Sequence, residues 1–325
     1  QPGFSTAAQT GARNKNGCPV PVSLKLVLFI PSMKTNICTD LYAVTDCFLC
    51  ILEFCDWPTL IAVSHATQSG RDMVRRIFRG RIRHVIGHIL KSWQYKAIFN
   101  HVDVSGAMIA GPIPWTLMTL HTYTPDDILP TEIKIVTPID TFQSWITVLQ
   151  YIGYCMVSGS RVPNMGATVE KARRFWTIPH KVSILVIESC SSSILPAVLT
   201  FPFTSDMTLL STSRLYCFYP SLVKKNITLS GFSYTPDGEI DLWTSRGSSH
   251  FYSTNTWDTP CGPVCRAIWR QTEGLPGVGE FAWGGLANDK DIEGNMGNSA
   301  VLSTTQFKWR LGLCCVNRFC PYRNL

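Results

Sequence analysis

A glycine turn and a short acidic strand contain the first residues whose types and spacing could do chemistry. Ser105-Gly106-Ala107 follows AIFNHVDV, a run that we interpret as a strand, and Glu132 and Lys134 alternate in a second predicted strand, EIKIVTP. Backbone N–H groups at a glycine turn that opens a helix can bind phosphate. Carboxylates that alternate along a strand share a face and can hold divalent ions. Such a pair of features would support metal-dependent transfer of a phosphate-linked group.

The metal-binding half of this pattern is incomplete. These features resemble nucleotidyltransferases of the polymerase-β type, in which a serine follows the glycine and two carboxylates alternate on the strand. The resemblance implies that Ala107 stands where that hydroxyl would contact the phosphate, and that Lys134 stands where a second carboxylate would lie. An ammonium beside the remaining carboxylate of Glu132 would neutralise it and repel Mg²⁺. The same resemblance implies a third carboxylate on a nearby strand, and its counterpart on the later predicted strand KVSILVIES is Ser183. We therefore predict no catalytic residue and a degenerate nucleotide site made of Ser105, Gly106, Ala107, Glu132, Lys134 and Ser183.

Two carboxylates remain as an alternative source of metal ligands. Asp126 and Asp127 lie in the predicted loop TPDDILPT between the glycine turn and the acidic strand. They could rescue the site only if that loop folds back over it. Adjacent carboxylates in a loop are otherwise solvated.

The cysteines suggest a second kind of site. The chain has 13 cysteines without the regular spacing of a small secreted disulfide scaffold, which favours a reducing compartment and a cytoplasmic or nuclear location. Four thiolates can hold a structural zinc ion tetrahedrally. The candidate ligands are Cys261, Cys265, Cys314 and Cys320. Packed free thiols are the alternative that we favour, so we expect no cofactor.

The charge pattern raises the question of an anionic partner. The net charge is +7, and much of the excess lies between residues 71 and 91. A basic helix of this kind could bind nucleic acid, and a solvated helix face is the alternative interpretation. The arginines in question are Arg75, Arg76, Arg79, Arg81 and Arg83. No apolar run reaches the roughly 18 to 20 residues that cross a bilayer, so we expect no membrane partner.

Three helices are predicted before the glycine turn. Leu41, Val44 and Phe48 begin a helical apolar spacing, which CDWPTL interrupts. Asp56 is suited to cap the next helix, and Pro58 is tolerated in its first turn because a proline there loses no hydrogen bond. TQSGRD is predicted to be the turn before a third, basic helix.

This region resembles an F-box over TDCFLCILEFCDWPTLIAVSHATQSGRDMVRRIFRGRI. The sequence TDLYAVTD stands where the family usually has a Leu-Pro opening. The resemblance implies docking to a Skp-family adaptor of cullin ubiquitin ligases. The adaptor contacts it suggests are Leu49, Ile51, Leu52, Trp57, Leu60 and Ile61. These residues could equally be the core of a plain helical bundle.

The rest of the chain alternates predicted strands and helices and ends in a loop-rich extension with many cysteines and tryptophans. DTFQSWITVLQYIGY is a predicted helix capped by Asp140, TSDMTLLS a predicted helix, and RLYCFYP a predicted strand. RRFWTIPHKVSILVIES predicts a hairpin that turns near Pro179. The fold class is therefore α+β. We divide the chain into a leader without fixed structure (1–36), an F-box-like unit (37–95), an α/β domain (96–228) and an extension (229–325).

As a whole, the chain resembles a family of basidiomycete (mushroom) proteins with no established activity. The resemblance rests mainly on LEFCDWPTLIAVS, TSDMTLLSTSRLYCFYPSL and CGPVCRAIWR. It implies an F-box-like N-terminus joined to a domain similar to nucleotidyltransferases of the polymerase-β type. We expect a non-catalytic interaction protein that acts as a substrate adaptor of a cullin ubiquitin ligase. A nucleotide- or RNA-binding protein and an active metal-dependent nucleotidyltransferase are the alternatives.

Overall fold

The computed structural model describes residues 45–119, 129–157, 166–177, 182–230, 249–251, 254–272, 278–284, 302 and 307–323. Contacts divide the chain into two units, Gln1–Val44 and Thr45–Leu325, and the described residues all belong to the second. The predicted leader, the loop carrying Asp126 and Asp127, and the turn at Pro179 lie outside the described residues.

The second unit begins with the helices that the sequence predicts. They are α1 (Thr45–Glu53), α2 (Trp57–Ala66) and α3 (Gln68–Gly87). Asp56 caps α2 by accepting a hydrogen bond from the backbone N–H of Thr59 at 3.0 Å, as expected. The turn predicted over TQSGRD is shorter than we expected, because α3 already begins at Gln68. The Thr67 hydroxyl already caps α3 by accepting from the N–H of Gly70 at 2.9 Å.

The run AIFNHVDV is a helix, and the prediction of a strand there is wrong. It forms most of α4 (Ser92–Ser105), which buries Ile98, Phe99 and Val102 at helical spacing. The β-branched residues in this run favour a strand only as a local propensity, which tertiary burial overrides. Gly106 then ends the helix in the left-handed region with φ of +67°.

A mixed sheet of eight strands forms the centre of the unit, which confirms the α+β class. The strands are β1 (Met108–Ala110), β2 (Glu132–Thr137), β3 (Cys155–Met156), β4 (Val169–Trp176), β5 (Ser183–Ser189), β6 (Thr208–Leu210), β7 (Arg214–Cys217) and β11 (Gly279–Ala282). Their order in the sheet is β11-β7-β6-β1-β2-β5-β4-β3, and β2 and β5 are parallel neighbours. The remaining strands form two small ribbons: β8 (Ile227–Leu229) with β9 (Ser249–Phe251), and β10 (Arg270–Gln271) with β12 (Lys308–Trp309).

Two local predictions in this region are corrected. TSDMTLLS is not a helix. Its residues Thr208–Leu210 form β6, which lies fully buried between β1 and β7. Asp140 does not cap the helix that follows it, α6 (Phe142–Tyr151), and its own φ is +66°. The buried carboxylate of Glu188 accepts the N–H of Phe142 at 2.9 Å instead. The helix is therefore capped by a carboxylate from β5, and not by the side chain of Asp140.

Three short helices complete the described elements: α5 (Pro112–Thr119), α7 (Leu195–Val198) and α8 (Pro220–Val223). The helical bundle packs directly on the sheet edge. Nε of Arg75 donates to the carbonyl of Ala282 at 3.2 Å, and the rings of Phe78 and Phe281 lie 5.3 Å apart. Packing is therefore continuous across the boundaries drawn after residues 95 and 228, and the domain division stays a prediction.

None of the helices in the described part of the chain combines the length and apolar character that a bilayer crossing requires.

Candidate functional site

The glycine that faces the predicted site is Gly111, not Gly106. Gly106 lies near Pro138, beyond the far end of β2 from Glu132, and Ser105 donates its hydroxyl to the carbonyl of His101 within α4. Ala107 is buried. Ser105, Gly106 and Ala107 therefore link α4 to β1 and do not form a turn beside Glu132.

Gly111 joins β1 to α5 with φ of +74°, a region that favours glycine. A Cβ atom here would lie 2.6 Å from Oδ1 of Asp206 and 3.6 Å from Nζ of Lys134. The missing side chain thus makes room for an ion pair between Lys134 on β2 and Asp206, which precedes β6.

The ion pair is short and buried. Nζ of Lys134 donates to Oδ1 of Asp206 at 2.9 Å, and their side chains are 12% and 3% exposed. The ring of Phe201 lies 5.0 Å from the same ammonium. Each charge is therefore compensated in a place where an isolated charge would be costly.

Buried hydroxyls hold the segment that carries Asp206. Thr208 donates to the carbonyl of Ser205 at 2.8 Å, and the hydroxyl of Thr228 donates to that of Ser205 at 2.8 Å. The Thr204 hydroxyl accepts the N–H of Leu229 at 2.9 Å. All four of these hydroxyl residues are fully buried. These buried hydrogen bonds therefore hold Asp206 in place beside Lys134.

Glu132 and Ser183, both residues of the predicted degenerate site, lie side by side. They are register partners on the parallel strands β2 and β5, and the Ser183 hydroxyl donates to Oε2 of Glu132 at 3.0 Å. Nε of Arg174 on β4 lies 2.8 Å from the same oxygen. The remaining carboxylate of the predicted metal strand therefore has a cation of the protein beside it.

The helix that starts at Gly111 is a poor phosphate cradle. Anions bind helix N-termini through free backbone N–H groups. Pro112 and Pro114 have none, so Ile113 supplies the single N–H among the first three residues of α5. The N–H of Trp115 already bonds to the carbonyl of Gly111 at 3.1 Å. Among the described residues, the carboxylate of Asp206 lies against this turn.

Half of the predicted adaptor contacts belong to the core. Leu49, Leu52 and Leu60 are 8%, 1% and 0% exposed, so they cannot reach a partner without unfolding the bundle. Ile51 is 50% exposed, and Phe54, which the sequence analysis did not select, is 60% exposed. These two side chains are the apolar ones that α1 and the residue after it present to solvent.

Trp57 and Ile61 line a cavity between α2 and the sheet. Its volume is about 370 Å³, and Leu215, Pro220 and Phe281 line the opposite wall. The Trp57 ring packs edge-on against that of Phe281, with centroids 5.2 Å apart. These two predicted adaptor contacts therefore face the chain's own sheet.

The basic helix α3 uses several of its arginines inside the protein. Arg75 and Arg79 donate to the carbonyls of Ala282 and Trp283, at 3.2 and 3.4 Å. Arg81 is buried, and burial lowers its pKa. Its guanidinium donates to the carbonyls of Glu53, the last residue of α1, and Cys55. Arg76 and Arg83 are exposed, so they alone of the five candidates point into solvent.

Four cysteines form a buried cluster that could hold a metal ion. Their Sγ atoms all lie within 4.8 Å of one another, and Cys265–Cys320 and Cys261–Cys315 are 3.5 and 3.6 Å apart. The fourth member is Cys315, and the prediction of Cys314 is corrected. Cys314 is exposed because successive residues of this extended loop point in different directions.

The surroundings of the cluster act on its thiols in opposite directions. Burial raises the pKa of Cys261 to about 11 and that of Cys265 to about 12. Burial acts to raise the pKa of Cys315 too, but hydrogen bonds from the N–H of Asn317 and the hydroxyl of Thr254 lower it on balance. The Asn317 amide also donates to Sγ of Cys261 at 3.3 Å.

Gly111, Asp206 and Cys315 are site residues that the sequence patterns did not indicate. Gly111 had a usable signal, because a glycine directly before Pro112 is typical of a strand that turns into a helix. Cys315 and Cys314 cannot be told apart from spacing alone. Asp206 gives no local signal, since its partner Lys134 is far away in the sequence.

Comparison of the chain with protein-family models, with curated proteins and with solved structures finds no match.

Proposed function

We propose that this chain is a non-catalytic interaction protein whose α/β part keeps the outline of a nucleotide site without its chemistry. The ion pair between Lys134 and Asp206 carries the proposal. A two-metal transferase needs dications beside the acidic strand and a phosphate beside the glycine turn. Here the ammonium of Lys134 takes the place of a dication, and the carboxylate of Asp206 takes the place of a phosphate.

The other residues of the site support the same interpretation. Glu132 lies beside Arg174 and accepts from Ser183, so a metal ion would have to displace a guanidinium. The prolines of α5 remove donors that a triphosphate would need. Binding of a nucleotide would therefore require breaking internal contacts and would gain few hydrogen bonds in return.

The partner surface that we propose is the exposed end of α1. Ile51 and Phe54 are large apolar side chains left in solvent, and such residues dominate the binding energy of protein interfaces when a partner covers them. This surface lies within the region that resembles an F-box. A Skp-family adaptor is accordingly the partner that we propose, and the protein would recruit targets to a cullin ubiquitin ligase.

Binding to a purified Skp-family adaptor tests this function. We expect wild-type protein to retain the adaptor in a pull-down, and Ile51→Asp together with Phe54→Asp to lose it. The matched control is Val104→Asp, since Val104 on α4 is 80% exposed and equally apolar. Absence of binding by the wild type, or equal loss in the control, would reject the adaptor role.

We also propose that the cysteine cluster holds a structural zinc ion. A zinc–sulfur distance of about 2.3 Å places thiolates at the corners of a tetrahedron roughly 3.8 Å apart. The observed Sγ separations, between 3.5 and 4.8 Å, bracket that value. Cys261, Cys265, Cys315 and Cys320 would be the ligands, and the amide of Asn317 would stabilise the negative charge on Cys261. The ion would fasten two loops that carry little secondary structure.

A further inference from the structure

The short ribbon of β10 and β12 has two faces of opposite character. Arg270 pairs with Trp309 and Gln271 with Lys308 across the ribbon. Alternate residues on a strand point to opposite faces, and cross-strand partners share a face. The inner face carries Trp309, which is 6% exposed and donates its indole N–H to the hydroxyl of Tyr219 at 3.2 Å. The ribbon is therefore anchored to the core through one face.

The other face, the ribbon face, is defined by Trp269, Gln271, Lys308 and Arg310. The indole of Trp269 is 59% exposed, and the guanidinium carbon of Arg310 lies 4.6 Å from the centre of its ring. The Arg310 side chain also donates to the carbonyl of Leu313 at 3.4 Å. An aromatic ring is thus held in solvent in a fixed position, with a cation stacked on it.

The cysteine cluster lies directly beside the ribbon face. Cys265 precedes Trp269 by one short turn, and the N–H of Gly312 bonds to the carbonyl of Arg266 at 3.0 Å. Two further exposed groups lie on the loop between the cysteines, Arg318 and Phe319, whose guanidinium and ring are 4.6 Å apart. The cluster thereby fixes the ribbon face and a second cation–aromatic pair on one small unit.

Basic side chains outnumber acidic ones on this unit. Within the described residues 254–272 and 307–323, Asp258 is the one acidic side chain. The basic ones are Arg266, Arg270, Lys308, Arg310, Arg318 and Arg323. Arg270 is used internally, because it donates to the carbonyls of Pro263 and Cys265 at 2.8 and 3.0 Å. The others leave a positive surface even beside a cluster of metal-bound thiolates.

We propose that this unit binds single-stranded nucleic acid. Cations that follow a phosphate backbone, combined with exposed rings on which bases stack, are what such a ligand requires. Bases also stack on guanidinium planes, so the Trp269–Arg310 pair offers two stacking surfaces. An acidic protein would be attracted by the same charge, but a stacked ring and guanidinium plane beside cations match the alternating bases and phosphates of a single strand more fully. This inference moves the nucleic-acid surface away from α3, where most arginines are used internally, and it does not depend on the adaptor role.

Fluorescence anisotropy with a labelled 12-nucleotide oligouridylate tests the proposal on the full chain. We expect Trp269→Ala to weaken binding about tenfold and Trp269→Phe, which keeps a ring, to retain most of it. Lys308→Glu with Arg318→Glu should weaken binding at least as much and flatten its salt dependence. The matched control, Arg76→Glu with Arg83→Glu, makes the same charge change on exposed positions of α3 and should leave binding within about twofold.

Three results would overturn the proposal. One is no oligonucleotide binding by the wild type at 50 mM salt. Another is equal loss in the α3 control, which would indicate attraction to net charge alone. The third is polyglutamate binding as tightly as the oligonucleotide, with Trp269→Ala unaffected, which would indicate an acidic protein partner. Circular dichroism of each variant separates lost binding from lost folding, and Lys308→Glu with Arg318→Glu provides the answer if Trp269→Ala fails to fold.

Discussion

Nζ of Lys134 and Oδ1 of Asp206 lie 2.9 Å apart against the bare Cα of Gly111. The pair lies where β2, the turn at Gly111 and the segment before β6 meet. An isolated buried charge is costly, so each of these two residues compensates the charge of the other. This mutual dependence makes the site a structural element, and its energetics can be measured.

Loss of the cation should be costly. Lys134→Met leaves the carboxylate of Asp206 buried without its partner, and we expect a loss of about 3–5 kcal/mol in the free energy of unfolding. Adding Asp206→Asn should recover part of this loss. Lys96→Met, an exposed control on α4, should stay within about 0.5 kcal/mol of wild type in urea denaturation. Equal effects of Lys134→Met and Lys96→Met would contradict the buried pair.

Gly111 should not tolerate a side chain. Gly111→Ala combines a positive φ with a Cβ placed 2.6 Å from Oδ1 of Asp206. We expect a loss of at least about 2 kcal/mol. Gly80→Ala should gain up to about 1 kcal/mol, since Gly80 lies inside α3 with no atom within 4 Å of the new methyl group. A neutral Gly111→Ala would show that Asp206 does not lie against this turn.

Arg81 should be a stability residue and Arg83 should not. The guanidinium of Arg81 donates to the carbonyls of Glu53, Cys55 and Leu117 at 3.4, 3.1 and 3.5 Å. Arg81→Met leaves these carbonyls without that donor, and we expect a loss of about 3 kcal/mol. The exposed Arg83→Met should change the free energy of unfolding by less than about 0.5 kcal/mol. If Arg81→Met leaves the free energy of unfolding unchanged in thermal or urea denaturation, these hydrogen bonds of Arg81 do not stabilise the fold.

The neighbouring cysteines Cys314 and Cys315 separate the metal site from chance proximity. Cys315 belongs to the buried cluster and Cys314 is exposed. We expect elemental analysis to find one zinc per chain in the wild type and in Cys314→Ser, and none in Cys315→Ser. A chelator should lower the melting temperature of the first two proteins only.

The metal affinity should also depend on pH. Burial raises the pKa of Cys261 and Cys265, so these groups carry protons that a metal ion must displace. Zinc affinity should therefore rise as the pH rises from 6 towards 8, with proton release measurable by calorimetry. Metal-free protein with Cys261–Cys315 and Cys265–Cys320 disulfides by mass spectrometry would contradict the zinc assignment.

Sequence patterns predicted the elements whose signals are local. The cap at Asp56 and the strand that carries Glu132 follow from short-range rules. The choice of Ser183 rests on the resemblance to nucleotidyltransferases, because its parallel pairing with Glu132 joins residues far apart in the sequence. The failures come from competition between local propensity and burial. AIFNHVDV is rich in β-branched residues but lies in a helix, and TSDMTLLS forms a buried strand.

The partners of the candidate site were beyond reach of the sequence. Asp206 becomes significant only once β6 lies beside β1 and brings it to Lys134. Leu49, Leu52 and Leu60 share the apolar pattern of a docking face and of a core, and only packing separates the two roles. The fold class was therefore predictable from the sequence, but the residues that fill the candidate site were not.

Nucleotide binding tests the central claim most directly. Thermal unfolding of the full chain is measured with millimolar ATP, GTP, CTP or UTP, each with and without Mg²⁺. The account predicts no Mg²⁺-dependent change in melting temperature, because the Lys134–Asp206 pair occupies the site. A Mg²⁺-dependent rise in melting temperature that Lys134→Met abolishes or enhances would contradict the account and would indicate a working nucleotide site.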